Sequence, residues 1–143
     1  MELRFHTFVK AKVPALWSAF ERPDNIRRWL APVEFVQSLE GKAGQQGSVS
    51  QLKAVIDGRE VVIRERVRYR QDKVAFDAEY TSDLGTTNIE NRFLPAEGGS
   101  MWILELTHRF RGLYLIQGFF MRSSIEKYLR ADLDRVKSII EKR

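Results

Sequence analysis

Few side chains in this 143-residue sequence are placed to do chemistry, and Glu65 is the foremost. It stands in a strictly alternating run in which Val61, Ile63, Val67 and Tyr69 share its side while Arg64, Arg66, Arg68 and Arg70 take the other. A carboxylate among apolar neighbours is pushed toward its neutral form by desolvation and can work as a general acid or base. The same placement also suits a kink in register, or an ion pair with an arginine at a cavity mouth. His108 alternates with Trp102, Leu104, Leu106 and Phe110. There it could pass a proton or orient a ligand carbonyl, or be a histidine satisfied within a core. Asn91 and Thr87 share a side with Ile89 and Phe93. Polar groups spread thinly over an apolar wall orient a ligand, although buried amides also serve ordinary cross-strand bonding. His6 is assigned no role.

The aromatic residues Trp29, Tyr69, Tyr80, Phe93, Trp102, Phe120 and Tyr128 are numerous enough to wall a cavity for a ring-bearing or lipid-like ligand, or to be plain core. Other chemistries are missing. The sequence has no cysteine, so no disulfide, thiolate nucleophile or cysteine-held metal is available. It has no glycine-rich phosphate loop, no nucleophile elbow and no zinc-binding histidine pair on a helix. No cofactor and no metal are implied.

These residues need elements to position them. Odd-numbered apolar residues from Leu3 to Val13 predict a strand, and Pro14 opens a short helix through Leu16, Trp17 and Phe20. A second short helix starts at Pro23 and carries Ile26, Trp29 and Leu30 until Pro32 stops it. Strands follow at Glu34–Glu40, Ser48–Ile56, Arg59–Arg70, Lys73–Thr81, Thr86–Leu94 and Ser100–Phe110, with Asp57-Gly58 a strong two-residue hairpin signal. From about Gly118 onward, Met121, Ile125, Leu129, Val136 and Ile140 make an amphipathic helical stripe. With 43% hydrophobic residues and no repeat or linker, residues 1–143 read as one domain with one core. The pattern predicts an α+β fold in which a curved antiparallel sheet of about seven strands is gripped by a long C-terminal helix.

Charge is unevenly spread. Residues 109–143 hold nine Lys/Arg against four Asp/Glu, whereas residues 1–108 balance. That basicity suits a solvated helix face or an anionic partner. The arginine row from Arg64 to Arg70 has no interleaved aromatics for stacking bases, and Asp77, Glu79, Glu90 and Glu105 stand on neighbouring strands. A cross-strand charge ladder is therefore expected, and nucleic acid is not. The apolar stretch 112–122, flanked by Arg109, Arg111 and Arg122, suits burial of the helix start, with Gly118 as a hinge. It also suits peripheral contact with an anionic membrane. No apolar run approaches the ~20 residues of a membrane span, and MELRFHTFVK has no secretory signal pattern, so a cytoplasmic setting is expected.

Several motifs together resemble the START-like (SRPBCC) superfamily, in its bacterial polyketide cyclase/dehydrase-like branch. They are Val9 to Trp17 as strand running into helix, Asp24 to Trp29 as a second helix ending in Trp, Gly47-Ser48 as a small-residue strand start, Phe93 to Ser100 as a late hairpin, and Leu129 to Glu141 as the closing helix. The resemblance covers essentially the whole chain and implies a helix-grip fold with a deep cavity between sheet and helix. It implies binding of a hydrophobic or amphipathic small molecule or lipid, for transport, sequestration or sensing. A cyclase or dehydratase using Glu65 or His108 is the alternative, and a chaperone-activator-like interaction domain a further one. Ligand contacts are expected at Trp29, Glu65, Tyr69, Tyr80, Asn91, Phe93, Trp102, His108, Phe120 and Tyr128.

Overall fold

The computed structural model describes residues 2–21, 33–56, 58–83 and 85–110, together with Arg130, Ala131, Asp134, Lys137, Ser138, Ile140 and Glu141. Strand β1 (Glu2–Val9) runs into helix α1 (Val13–Glu21), and six strands follow: β2 (Val33–Glu40), β3 (Val49–Ile56), β4 (Arg59–Gln71), β5 (Ala75–Ser82), β6 (Gly85–Ala96) and β7 (Gly99–Phe110). They form one curved seven-stranded sheet in the order β1-β7-β6-β5-β4-β3-β2, every pair antiparallel. Each neighbour from β2 to β7 is also the neighbour in sequence, because short hairpins connect them. Gly58, at φ 77°, sits in the left-handed region that a two-residue hairpin demands. The first strand stops at Val9, short of the expected Val13, since Pro14 belongs to the first turn of α1. Conversely β6 outlasts the expected Leu94, with Pro95 opposite Ser100 and Ala96 opposite Gly99. At Gly99 a Cβ would come within 2.1 Å of the Val9 carbonyl oxygen, so only glycine lets β7 start against the end of β1.

Helix α1 is short but buries Leu16, Trp17, Ala19 and Phe20, one side of its cylinder, against the sheet. Phe20 sits at the centre of an aromatic cluster, 5.0 Å from Phe93, 5.4 Å from Phe76, 5.7 Å from Trp102 and 5.9 Å from Trp17 between ring centroids. Leu3, Phe5 and Val9 of β1 and Leu104 and Leu106 of β7 extend this core. Ile140 joins the same cluster, and the described residues between 130 and 141 are helical. Arg130 lies 5.0 Å over the Phe5 ring, and Glu141 Oε1 accepts a hydrogen bond from the Lys10 amide at 3.0 Å. The expected second short helix lies outside the described residues, as does most of the expected long C-terminal helix.

One irregularity corrects the sequence reading. Val67 pairs with Ala78, but Tyr69 pairs with Asp77, so Arg68 is an extra residue in β4, a β-bulge. Strict alternation would keep Tyr69 beside Glu65 and Arg70 outside. The bulge exchanges them. Tyr69 faces outward, 42% exposed, with its hydroxyl donating to Gln71 and the Arg92 guanidinium 5.9 Å over its ring. Arg70 turns inward, 5.3 Å from the Trp17 ring, and donates to Glu21 Oε2 (2.6 Å), the Gly44 carbonyl (2.8 Å) and Asp72 Oδ1 (2.9 Å). It thereby ties the end of α1 to the β2–β3 loop. On the outer face one rung of the expected ladder forms, Arg68 on Glu79 at 3.3 Å, while the other expected carboxylates Asp77 and Glu105 are taken by Arg92, bidentate, and by Arg4 at 3.2 Å. Replacing Arg70 with alanine is expected to lower unfolding stability by about 2 kcal/mol in urea titrations, because three charge-assisted bonds in a largely buried position are lost together.

Candidate functional site

The registers line up an unbroken row of polar residues across five strands. Ser50 pairs with Glu65, Glu65 with Tyr80, Tyr80 with Thr87, and Thr87 with His108. Directly paired residues share a face, so all five lie on the inner side, one row removed from the apolar Leu106, Ile89, Ala78 and Val67. Ser50, Glu65 and His108 are buried, at 1%, 7% and 8% exposure, and Tyr80 and Thr87 are half-buried. The row sits toward the opposite end of the strands from the aromatic cluster under α1. From His108 to Leu104 along β7 is roughly 13 Å at the usual rise of a strand.

Within the row the side chains bond in pairs. The Tyr80 hydroxyl donates to the Glu65 carboxylate. Thr87 Oγ1 lies 2.5 Å from His108 Nδ1, the donor being set by the imidazole tautomer. Burial pushes the Glu65 carboxyl above its ordinary range, and the bond from Tyr80 opposes this only in part. Burial pushes the Tyr80 phenol well up, and the adjacent Glu65 charge adds to the effect. Tyr80 is therefore a fixed proton donor at neutral pH, whereas Glu65 is the member that can exchange a proton with a bound molecule. Ser48 and Ser50 hydroxyls, also on this face, are buried and have no hydrogen-bond partner among the described residues.

The expected contact residues divide. Glu65, Tyr80 and His108 come together in the row, joined by Thr87. Asn91, Phe93 and Trp102 share the inner face but lie beneath α1. Phe93 and Trp102 stack at 5.8 Å, Asn91 Oδ1 accepts from Trp102 Nε1 at 2.9 Å, and Asn91 Nδ2 donates to the Phe76 carbonyl at 3.1 Å. Both polar atoms of Asn91 thus serve the core. Tyr69 stands on the opposite face, turned there by the bulge. Trp29, Phe120 and Tyr128 fall outside the described residues. Ser50 was not anticipated, yet a signal existed. A two-residue hairpin at Asp57-Gly58 pairs residues symmetrically, and Ser50 and Glu65 are equally distant from it. No group of three or more His, Cys, Asp or Glu able to hold a metal occurs among the described residues. No helix among them is long and apolar enough to cross a membrane.

A sheet with an inward polar row and one helix across its other end is the frame of a helix-grip protein. The chain belongs to the family described as polyketide cyclase / dehydrase and lipid transport, whose model matches residues 3–141, and so to the SRPBCC superfamily. No curated protein matches the sequence. Among solved structures it is similar to the Zhui aromatase/cyclase from a Streptomyces species, with a TM-score of 0.84 and 16% identity over 100% of this chain and 94% of that one. An uncharacterised protein from Rhizobium leguminosarum gives a TM-score of 0.80 and 16% identity, over 100% of this chain and 95% of that one. Ara h 8.0201 gives 0.72 and 14%, over 100% and 99%. At identities this low the structural likeness shows a shared fold alone.

Two outcomes test the division of roles. Asn91→Ala removes the acceptor used by Trp102 Nε1 and is expected to cost about 2 kcal/mol in denaturant unfolding. For Glu65, a raised folded-state pKa means that the folded protein keeps a proton which the unfolded chain releases above its ordinary value of 4.5. Stability from this residue therefore falls as pH rises from the ordinary carboxylate range through the raised value. Glu65→Gln, which still accepts from Tyr80, is expected to melt increasingly above wild type as pH is raised from about 4 to about 8.

Proposed function

We propose that the chain is a single START-like domain that binds a hydrophobic small molecule or lipid on the inner face of its sheet, beneath a long C-terminal helix. The observation that carries this reading is the polar row from Ser50 to His108 set into an otherwise apolar wall. Such a row has no packing function that Leu or Val would not serve better, and buried polar groups cost stability unless they meet partners. An apolar molecule carrying oxygen functions supplies those partners. Membership of a family whose description includes lipid transport supports the same reading. Trp29, Phe120 and Tyr128 complete the apolar walls in this proposal, and the segment 112–122 borders the opening.

A second reading is favoured by the Glu65–Tyr80 pair. A carboxyl held toward its protonated form beside a fixed phenol donor can protonate a leaving hydroxyl or take a proton beside a carbonyl, the steps of a dehydratase or cyclase. His108 is the alternative proton carrier, oriented by Thr87.

Native mass spectrometry of protein purified from its own host is expected to reveal a discrete apolar mass, recoverable by denaturing extraction. A protein that carries nothing and takes up no apolar probe would sink the binding reading. With the ligand in hand, Glu65→Gln and His108→Ala are expected to change affinity by about 2- to 10-fold, as loss of single hydrogen bonds does. Under the enzyme reading, turnover collapses in at least one variant while affinity survives, and unchanged turnover in both refutes it.

A further inference from the structure

We infer that Ser50 and Glu65, with Tyr80 behind them, form a subsite for a neutral hydroxyl group, so that the ligand is an alcohol or phenol. This inference rests on the binding reading above and narrows it. Ser50 is 1% exposed, and its Oγ has no hydrogen-bond partner among the described residues. A hydroxyl buried in that state is a destabilising feature unless something outside the chain completes it. The residue directly across from it is Glu65. Their Cβ atoms are about 5 Å apart, as in any antiparallel pair, yet they do not bond to one another. The hydrogen bond that Glu65 does make runs the other way, to Tyr80 on β5.

The chemistry of the gap follows from the two inventories. A serine hydroxyl offers one donor and two acceptor lone pairs, and Glu65, beyond the bond it takes from Tyr80, accepts when ionised and donates when protonated. A group that fills the gap must meet Ser50 and Glu65 at one point, donating to Glu65 when it is ionised and accepting from it when it is protonated. An O–H does both. An ether or ketone oxygen only accepts, which leaves the Glu65 side unmet whenever Glu65 is ionised. A carboxylate or phosphate only accepts and also meets a like charge whenever Glu65 is ionised. Ser48, buried two residues earlier on the same face and also without a partner among the described residues, continues the polar lining toward the β2–β3 loop. Tyr80 donates to Glu65 from the β5 side and is held as a phenol, so it leaves the remaining Glu65 sites to the gap.

The test compares three fluorescent probes of one skeleton, 2-naphthol, 2-methoxynaphthalene and 2-naphthoate, on wild type and on Ser50→Ala. On wild type, 2-naphthol is expected to bind about 5- to 10-fold tighter than 2-methoxynaphthalene, with 2-naphthoate weakest. In Ser50→Ala the 2-naphthol affinity is expected to fall toward that of 2-methoxynaphthalene, which itself stays within about 2-fold of wild type. The ligand-free variant is expected to melt no lower than wild type, since it loses a hydroxyl with no partner among the described residues. Equal binding of the naphthol and its methyl ether to wild type refutes the subsite while leaving the binding reading intact. A marked drop in melting temperature for Ser50→Ala also refutes it, since the hydroxyl would then be holding the fold. Failure of all three probes to bind removes the binding reading, and this inference with it.

Discussion

Cross-strand register is the constraint on which this molecule depends. Side chains alternate faces with period two, so a slip of one residue in any hairpin would carry an entire row from the interior to solvent. Here the registers of five successive strands agree, and residues far apart in sequence, from Ser50 to His108, stand in one line. The hairpins that fix these registers are short, and β3–β4 turns on two residues with Gly58 in the left-handed conformation. On the outer face Arg68, the bulged residue, and Arg92 reach diagonally across the ladder to Glu79 and Asp77. Such exposed pairs contribute little stability each. Their consequence is negative selection: a slipped register would set those charges against an apolar interior.

The inner face is divided in function along the strand direction. At one end α1 closes over Phe76, Phe93 and Trp102 with a tight aromatic cluster, and the polar atoms there, those of Asn91 and Ser100, are bonded within the protein. That end supplies stability. At the other end the polar residues outnumber the bonds they make with each other, and a carboxylate is kept where water would otherwise favour its charge. Unmet polar groups of this kind are the physical basis of the binding proposed for this end. The bulge at Arg68 marks the border. By turning Arg70 inward it brings a cation to the end of α1, where Glu21, Asp72 and the Gly44 carbonyl surround it. The side chain that would have extended the carboxylate's own face, Tyr69, is sent outside by the same step.

How much of this was legible depends on the range of the interaction involved. Alternation is a local property, and it located all seven strands, the inward faces of β6 and β7, and Glu65 as a carboxylate on the apolar side. A proline at the first helical turn marked α1. The bulge was not legible, because Arg68, Tyr69 and Arg70 continue an unbroken alternating pattern. What displaces them is Arg70's gain of Glu21, Asp72 and Gly44 as partners, and Glu21 and Gly44 lie far off in sequence. Ser50 is faint in the sequence for a different reason: a serine in a strand has no periodic signature, and its significance comes from the residue that hairpin symmetry about Asp57-Gly58 sets across from it.

The amino-acid order by itself determined the antiparallel sheet, the strand faces up to the bulge at Arg68 and the presence of a buried carboxylate, since these follow from period-two patterning, turn chemistry and the partition of charged and apolar side chains. Only the tertiary structure decided which inward polar groups are satisfied within the protein and which are left open. That distinction is a matter of unmet hydrogen bonds. Asn91 and Glu65 look alike in sequence, each a polar residue in an apolar row, but Trp102 and the Phe76 carbonyl use up both polar atoms of Asn91. Ser50 has no such partner among the described residues, and the Glu65 opposite it takes a bond from Tyr80 on its other side. Whether a polar group is satisfied is settled by neighbours on other strands, and those are known only once the sheet has closed.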